Sequence, residues 1–218
     1  MIRQFGWNEF ELLVLAARWT IVLALFAFVG GGIGGLIVAL LRTGDSRVAR
    51  TAMVAFIRVF QGTPLLMQLF LAYFGMAIFG FNVNPLTAAV IALTAHASAY
   101  LGEIWRGCIE AVPRGQTEAA TVLGLHYVAR MRHVVLPQAA RIAVPPTVGF
   151  LVQLLKETSL TSIIGFVELT RQGQIITSVT FRPFLVYGIV AAVYFILCWP
   201  LSLAARGMER GMARATQR

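Results

Sequence analysis

Apolar residues dominate this chain in five long runs, and the polar residues between them form short clusters. The first run, residues 19–41, passes 23 positions without a charged side chain. A helix of that length crosses the hydrocarbon core of a bilayer, which is about 30 Å thick. The other runs are residues 53–78, 86–105, 142–166 and 183–205. The pattern predicts an all-α membrane protein with about five transmembrane helices in a single domain, residues 1–218.

Arginine clusters mark one side of the predicted bundle. Three of them follow the first run at Arg42, Arg47 and Arg50, five lie in the polar segment 106–141, and four follow residue 205. Cytoplasmic segments of membrane proteins carry such an excess of basic residues. The N-terminus is therefore predicted to be extracytoplasmic and the C-terminus cytoplasmic.

Composition agrees with a membrane protein and excludes other classes. The chain is 58% hydrophobic and 12% charged, with a mean hydropathy of +0.78. A net charge of +9 would suggest nucleic acid in a soluble chain, but no segment here interleaves aromatic and basic residues, so no nucleic-acid partner is expected. Two cysteines, Cys108 and Cys198, indicate neither a disulfide framework nor a metal site.

Within the polar segment, residues 115–137 begin with a pattern that predicts a short helix. Thr117 is a candidate cap, Glu118 follows in the first turn, and Ala119 and Ala120 are strong helix formers. Gly124 provides a stop. The small alanines allow close approach of another backbone, and the carboxylate can accept charge-assisted hydrogen bonds.

A second helix is predicted from Tyr127, and it should end at Leu136-Pro137 because a residue that precedes proline avoids the helical region. Two short helices at an angle would form a projection suited to a groove in another protein. An ordinary solvated helix is the alternative that the spacing leaves open.

Two features of the apolar runs are unusual. Residues 30–35 contain two overlapping GxxxG spacings, which allow close helix crossing and, as a hypothesis, sliding between helices. Run 142–166 is interrupted by Lys156, Glu157, Thr158 and Ser159. Charges at membrane depth cost about 2.5–3.5 kcal/mol each, so they normally face a cavity or a partner. A salt bridge between neighbours or snorkelling towards an interface is the alternative.

The polar segment also resembles the EAA loop of ATP-binding cassette importer permeases. That loop reads Glu-Ala-Ala, three residues, Gly, nine residues, Ile, one residue, Leu-Pro. Val134 replaces the isoleucine, and the other positions match at Glu118, Ala119, Ala120, Gly124, Leu136 and Pro137. The resemblance implies that these six residues couple the permease to a cytoplasmic ATPase subunit.

Further segments are similar to the polar amino-acid branch of the same permeases. Residues 60–70 read FQGTPLLMQLF, where the branch has FRGTPLLVQLF and thus an arginine in place of Gln61. Residues 99–107, 154–160 and 168–172 also match. The similarity covers the chain from about residue 56 to residue 177.

This resemblance implies a type I importer fold in a bacterial inner membrane and a cargo of polar or charged amino acids. It implies three partners besides membrane lipid, namely ATPase subunits, a second permease subunit that is identical or merely similar, and an external amino-acid-binding protein. ATP and Mg²⁺ would be bound by the ATPase, because no phosphate-binding lysine loop occurs here. This chain would bind no cofactor and would not be an enzyme.

Substrate contacts are hypothesised at polar residues of the apolar runs, where the cargo's carboxylate and ammonium groups would pass. The candidates are Gln61, Thr63, Lys156, Glu157, Thr158 and Ser159.

Two rival classes are a membrane-embedded enzyme and a stand-alone secondary transporter. An enzyme would draw on His96, Ser98 or the Lys156-Glu157 pair, but no HExxH or GxSxG pattern supports it, and residues two apart on a helix do not face each other. A secondary transporter would need an internal repeat, and five runs do not divide into halves.

Overall fold

The computed structural model describes residues 4–216, with side chains to residue 212, and over this range it contains helices and turns but no strand. Arg214 and Arg218, two of the four arginines that follow residue 205, therefore lie outside the described side chains. The helices are α1 (Trp7–Thr43), α2 (Arg47–Gly62), α3 (Leu65–Phe70), α4 (Met76–Ile78), α5 (Pro85–Glu110), α6 (Arg114–Val122), α7 (Tyr127–Arg130), α8 (Leu136–Glu157), α9 (Leu169–Thr180) and α10 (Pro183–Thr216). Two π-helical turns, Leu71–Gly75 and Met131–Val135, and a 3-10 segment, Thr158–Ile164, join consecutive helices.

Four of the described helices are long and apolar enough to cross a membrane. They are α1, α5, the continuous helix Tyr127–Ile164, and α10 as far as Met212. A fifth candidate is the bent pair Arg47–Gly62 and Leu65–Ile78. The flanking helices reach into the polar segment, because α5 runs to Glu110 and the next long helix begins at Tyr127.

The run 53–78, predicted as one helix, is broken at Thr63-Pro64, where the axis turns by 103°. Pro64 lacks an N–H and disfavours a helical conformation at Thr63, which is extended with φ −115° and ψ 139°. The Gln68 side-chain amide then donates to the carbonyls of Phe60 (2.8 Å) and Thr63 (3.0 Å), which the break leaves without helical partners.

The predicted helix end at Leu136-Pro137 is wrong, because Leu136 keeps helical angles (φ −61°, ψ −39°) and the helix continues to Ile164. A π-helical turn, Met131–Val135, lies immediately before the proline. Such a turn lengthens the hydrogen-bonded loop by one residue, which accommodates a ring that has no N–H to donate.

Helices α1 and α5 run parallel and interlock through small residues. A Cβ built at Gly31 would lie 2.3 Å from the Ala97 Cβ, and one at Gly34 would lie 2.2 Å from the Ser98 Oγ. These glycines therefore allow α1 and α5 to pack in direct contact, and the hypothesised sliding between them stays a prediction.

Gly31→Ala is expected to destabilise the bundle by about 1–3 kcal/mol, because the added methyl group forces the two helices apart. The matched control is Gly32→Ala, whose Cβ would meet only the Trp105 ring, at an ordinary 3.6 Å. Thermal unfolding of the detergent-solubilised protein measures both variants. Equal midpoints for the two would contradict the interlocked packing.

The two ends of the bundle differ in chemistry. The end that carries Arg42, Arg106 and α6 is here called the basic end. There Arg106 pairs with Glu103 and Glu110 on α5, and Arg42 of α1 approaches Glu103 at 3.6 Å. The Arg42–Glu103 pair connects the end of α1 to α5, whereas both Arg106 pairs lie within α5.

At the opposite end, a fully buried Glu168 caps α9 and joins three helices. Its carboxylate accepts hydrogen bonds from the Thr20 hydroxyl on α1 (3.3 Å), the Tyr194 hydroxyl on α10 (2.9 Å) and the N–H groups of Thr170 (3.0 Å) and Arg171 (2.9 Å). Burial raises the pKa of the Glu168 carboxyl above its ordinary value, against these hydrogen bonds, which lower it.

Candidate functional site

The first candidate site is the polar segment between α5 and α8. Helix α6 begins at Arg114 after Pro113, so Thr117 lies inside the helix and the prediction that it caps the helix is wrong. The Thr117 carbonyl instead accepts a hydrogen bond from the Thr121 hydroxyl at 2.8 Å. Glu118 is the fifth residue of the helix rather than a first-turn residue.

Gly124 ends α6, as predicted. Its φ of +75° is in the left-handed region, where residues with a Cβ are strained. The N–H groups of Gly124 and Leu125 donate to the carbonyls of Thr121 and Ala120, both at 3.0 Å. This is the Schellman arrangement, and it turns the chain sharply towards the next helix.

The second helix begins at Tyr127, as predicted, and it is tied both to α6 and to α1. The Arg130 guanidinium donates to the Thr121 hydroxyl at 2.8 Å and lies 5.6 Å from the centre of the Tyr127 ring. The Tyr127 hydroxyl donates to the carbonyl of Thr43, the last residue of α1, at 3.4 Å.

Helix α6 has one buried side and one exposed side. Ala120 is only 2% exposed, so it packs inward and cannot provide the close outward approach predicted for it. Glu118 and Ala119 are exposed, and beside them Val122 and Leu123 are 88% and 80% exposed. We call these four residues the outer face of α6. Helix α6 lies outside the candidate membrane spans, so two adjacent apolar side chains this exposed make its outer face a candidate docking surface.

A small apolar core anchors the segment to the bundle. It joins α1, the end of α5 and the start of α8, and its buried members are Ala39, Ile109, Val112, Val135 and Ala139. Leu136 packs against this core and Pro137 is exposed. A force applied to α6 would therefore reach the two helices on either side of it.

The second candidate site is a polar cluster at mid-depth, formed by Thr63, Gln68, His96, Gln153 and Glu157. The Gln68 Oε1 lies 3.3 Å from His96 Nδ1, and the Gln68 amide donates to the Thr63 hydroxyl at 3.1 Å. The Nε2 of buried His96 lies 3.5 Å from Glu157 Oε2, and Gln153 donates to the other Glu157 oxygen at 2.8 Å. The cluster thus joins the break after α2, the middle of α5 and the end of α8.

Only two of the six hypothesised substrate contacts belong to this cluster, Thr63 and Glu157. Gln61 and Lys156 are exposed, Thr158 is fully buried and donates to the Leu155 carbonyl, and Ser159 donates to the Lys156 carbonyl. Lys156 and Glu157 form no salt bridge within the described residues, because Glu157 faces His96 instead. These charges lie at the end of α8, where the helix tightens into the 3-10 segment.

Gln68 and Gln153 were missed by the sequence reasoning, which had singled out His96 but not its partners. The signal for Gln68 was available, because it follows the Thr63-Pro64 break by one helical turn, where freed carbonyls need a donor. Ser98 lies on another side of α5, against Gly34, and donates to the Thr94 carbonyl. His96 and Ser98 therefore form no hydrolytic pair.

A crevice of 370 Å³ opens beside Thr63 and Gln68, between the α2–α3 break and α5. Its other walls are mostly apolar and include Met67, Ile91 and Ala95. A largely apolar recess with a few polar groups is the usual form of a small-molecule site.

A bundle of four or five membrane-crossing helices, with a mid-depth polar cluster and an exposed helix at its basic end, defines a multi-pass membrane transport protein. Residues 31–214 match the family described as binding-protein-dependent transport system inner membrane component. The chain belongs to this family.

Curated relatives cover nearly the same length. The glutamine transport system permease protein GlnP of Escherichia coli (strain K12) is 36% identical over 208 residues, which are 94% of this chain and 95% of GlnP. The L-cystine transport system permease protein TcyB of Bacillus subtilis (strain 168) is 38% identical over 197 residues, which are 90% of this chain and 84% of TcyB.

Solved structures of ABC transporters have the same fold as this chain. An amino acid ABC transporter with histidines matches with a TM-score of 0.88 and 39% identity, over 93% of this chain and 95% of that one. The MetNI methionine ABC transporter, in an inward-facing conformation, matches with a TM-score of 0.74 over 95% of this chain and 99% of that one. Its 21% identity shows the fold alone.

This chain is thus a type I permease subunit of an ATP-binding cassette importer and not an enzyme. Neither rival class, the stand-alone transporter or the membrane-embedded enzyme, is supported by these relatives.

Proposed function

We propose that this permease imports a polar or charged amino acid across a bacterial inner membrane. It forms half of the pathway with a second permease subunit, receives cargo from an extracytoplasmic binding protein, and is driven by an ATPase that binds ATP and Mg²⁺. The basic end is cytoplasmic in this proposal, which agrees with its arginines. The relatives named for glutamine and cystine transport support the cargo class.

The observation that carries the coupling proposal is the outer face of α6. Glu118, Ala119, Val122 and Leu123 offer one carboxylate, one small residue and two apolar side chains to a cleft of the ATPase. Gly124 sets the angle of the turn, and Leu136 and Pro137 belong to the helix that carries the motion into the membrane. Ala120 acts from the inner side by packing α6 onto the bundle.

Movement of α6 would reach the substrate region through one continuous helix. Residues Tyr127–Ile164 run from the turn after α6 to the polar cluster, where Glu157 meets His96. A rigid shift of this helix at its basic end would therefore displace Glu157 relative to α5. Rocking of this kind around a midplane site is how alternating access operates in many transporters.

For the cargo, Thr63 and Glu157 are the best supported of the hypothesised contacts, because both belong to the polar cluster beside the crevice. Gln61, Lys156 and Ser159 would take part from a surface shared with the second permease subunit. Thr158 supports the transition from α8 to the 3-10 segment through its hydrogen bond to the Leu155 carbonyl.

Reconstitution tests the proposal. The permease, its ATPase and its binding protein are placed in liposomes, and uptake of labelled L-glutamine, L-cystine and L-histidine is measured. Uptake of at least one of them should require ATP, Mg²⁺ and all three proteins. Uptake by the permease alone without ATP would instead establish a secondary transporter, and failure of the permease to co-purify with any ATPase would oppose the assembly.

A further inference from the structure

Helix α2 carries a polar stripe that no contact in the described chain explains. Its members recur at three, four, eleven and fourteen residues from the first, which places them on one side of the helix. They are Arg47, Arg50, Thr51, Arg58 and Gln61, and all five are exposed. No ion pair joins any of the three arginines to a carboxylate in the part of the chain that the structure describes.

The stripe runs from the basic end to mid-depth. Helix α2 begins at Arg47, four residues after α1 ends at the basic end. It stops at the break where Gln68 bonds to His96, and His96 is the twelfth of the 26 residues of α5. At 1.5 Å per residue, His96 lies about 17 Å from one end of α5 and about 21 Å from the other.

Arg58 therefore lies far from the basic end along the bundle axis, although its side chain is exposed. It precedes Thr63 by five residues, which places its Cα within about 8 Å of the break along the helix. An arginine at this depth is unfavourable against acyl chains, so it faces water or a partner group. The neighbouring side of α2 is apolar and exposed, with Val48 and Val59, and that side suits lipid or a second subunit.

We propose that Arg58 lines the cytoplasmic half of the transport path and binds the carboxylate of the transported amino acid. Its guanidinium can donate two parallel hydrogen bonds to one carboxylate. Gln61, one turn further along the stripe, adds a neutral donor and acceptor at the level of the polar cluster. Arg50 and Arg47 continue the positive surface to the basic end. The carboxylate can therefore meet one arginine after another as it passes from mid-depth to the cytoplasm.

This inference rests on the proposed function, because it assumes an amino-acid cargo and a water-filled cavity between two permeases. It adds a residue outside the six hypothesised contacts. It also assigns opposite tasks to two regions: a cationic stripe on α2 for the carboxylate, and the Glu157 carboxyl of the polar cluster for the ammonium group.

The first test compares uptake by the reconstituted complex, using whichever of L-glutamine, L-cystine and L-histidine the wild type imports fastest. Arg58→Gln should lower uptake by about ten- to hundredfold, the usual loss for one charge-assisted hydrogen-bonding partner. Arg58→Lys should retain part of the activity because the charge remains. Arg141→Gln is the matched control, since Arg141 is exposed at the basic end but lies on another helix, and it should behave as wild type.

The second test reads the surroundings of position 58 directly and does not depend on transport. Arg58→Cys and Ala52→Cys are made in a chain with Cys108 and Cys198 replaced by serine. Ala52 is exposed about 120° away around α2, on the apolar side. A negatively charged, membrane-impermeant thiosulfonate reagent applied from the cytoplasmic side should modify Cys at 58 and not at 52, and cargo should slow the reaction.

The outcomes separate this inference from the proposed function. A wild-type complex that imports none of the three amino acids overturns both. Wild-type uptake that Arg58→Gln leaves unchanged overturns the carboxylate contact alone. Modification of position 58 only by a membrane-soluble maleimide places Arg58 against lipid, and no modification by either reagent places it against the second subunit; either result overturns the inference.

Discussion

Glu118→Lys is expected to lower ATP-dependent uptake at least tenfold while leaving the permease folded in the membrane. The Glu118 side chain is exposed and forms no hydrogen bond or ion pair within the described residues, so its replacement removes no internal contact. If α6 docks on the ATPase as proposed, the same change replaces a carboxylate that accepts hydrogen bonds from the ATPase with a positive charge. A like-charge contact in such an interface costs several kcal/mol, of which about 1.4 kcal/mol already gives a tenfold loss.

Three measurements check this prediction: uptake, substrate-stimulated ATP hydrolysis, and recovery of the ATPase with tagged permease. All three should fall together, because one contact supports them. Glu11→Lys is the matched control, since it reverses another exposed carboxylate, in α1. Glu118→Lys with wild-type uptake would show that α6 is not the coupling contact.

Glu168→Ala is expected to destabilise the protein by about 3–5 kcal/mol, because several buried donors lose their acceptor at once. The donors are the hydroxyls of Thr20 and Tyr194 and two N–H groups at the start of α9. Loss of this cap should separate α9 from α1 and α10. The measurement is the thermal unfolding midpoint in detergent, with Glu209→Ala as an exposed control.

The pH dependence of the same position provides a second readout. Because the pKa of Glu168 is raised in the folded protein, its contribution to stability is complete below the ordinary carboxyl range and is lost as the pH rises through the raised value. The thermal unfolding midpoint of the wild type should therefore fall as the pH rises from the ordinary carboxyl range through the raised pKa. In Glu168→Gln, which does not titrate, this part of the fall should be absent. Equal pH profiles would mean that Glu168 titrates as an ordinary surface carboxyl.

The two X-Pro dipeptides show how much of helix continuity can be predicted from local sequence. The same rule applies to Thr63-Pro64 and to Leu136-Pro137, yet only the first breaks its helix. At the first site Gln68 satisfies the freed carbonyls, and at the second a π-helical turn absorbs the ring. The choice between a break and a continuous helix thus depends on partners that the dipeptide itself does not specify.

In the candidate sites, too, local features were predictable from the sequence and contacts between distant segments were not. Spacing identified Glu118 and Gly124 because their tasks, an exposed charge and a left-handed turn, are local. It did not separate outward Ala119 from inward Ala120, since that depends on which side of α6 meets the bundle. Nor did it find the polar cluster, whose members come from positions as far apart as Thr63 and Glu157.

By itself, the sequence determined that this protein is a helical membrane protein, because hydrophobic run length and arginine placement respond to the bilayer and not to the fold. The permease class came from the resemblance of its motifs to a known family. The sequence also determined the exposed helix between α5 and α8, because the capping glycine and short polar pattern act within a few residues. The tertiary structure alone decided that the glycines of α1 pack directly against α5, that Glu157 faces His96, and that α2 ends beside the polar cluster. Those features are contacts between distant segments, and only the packed bundle fixes which side chains meet.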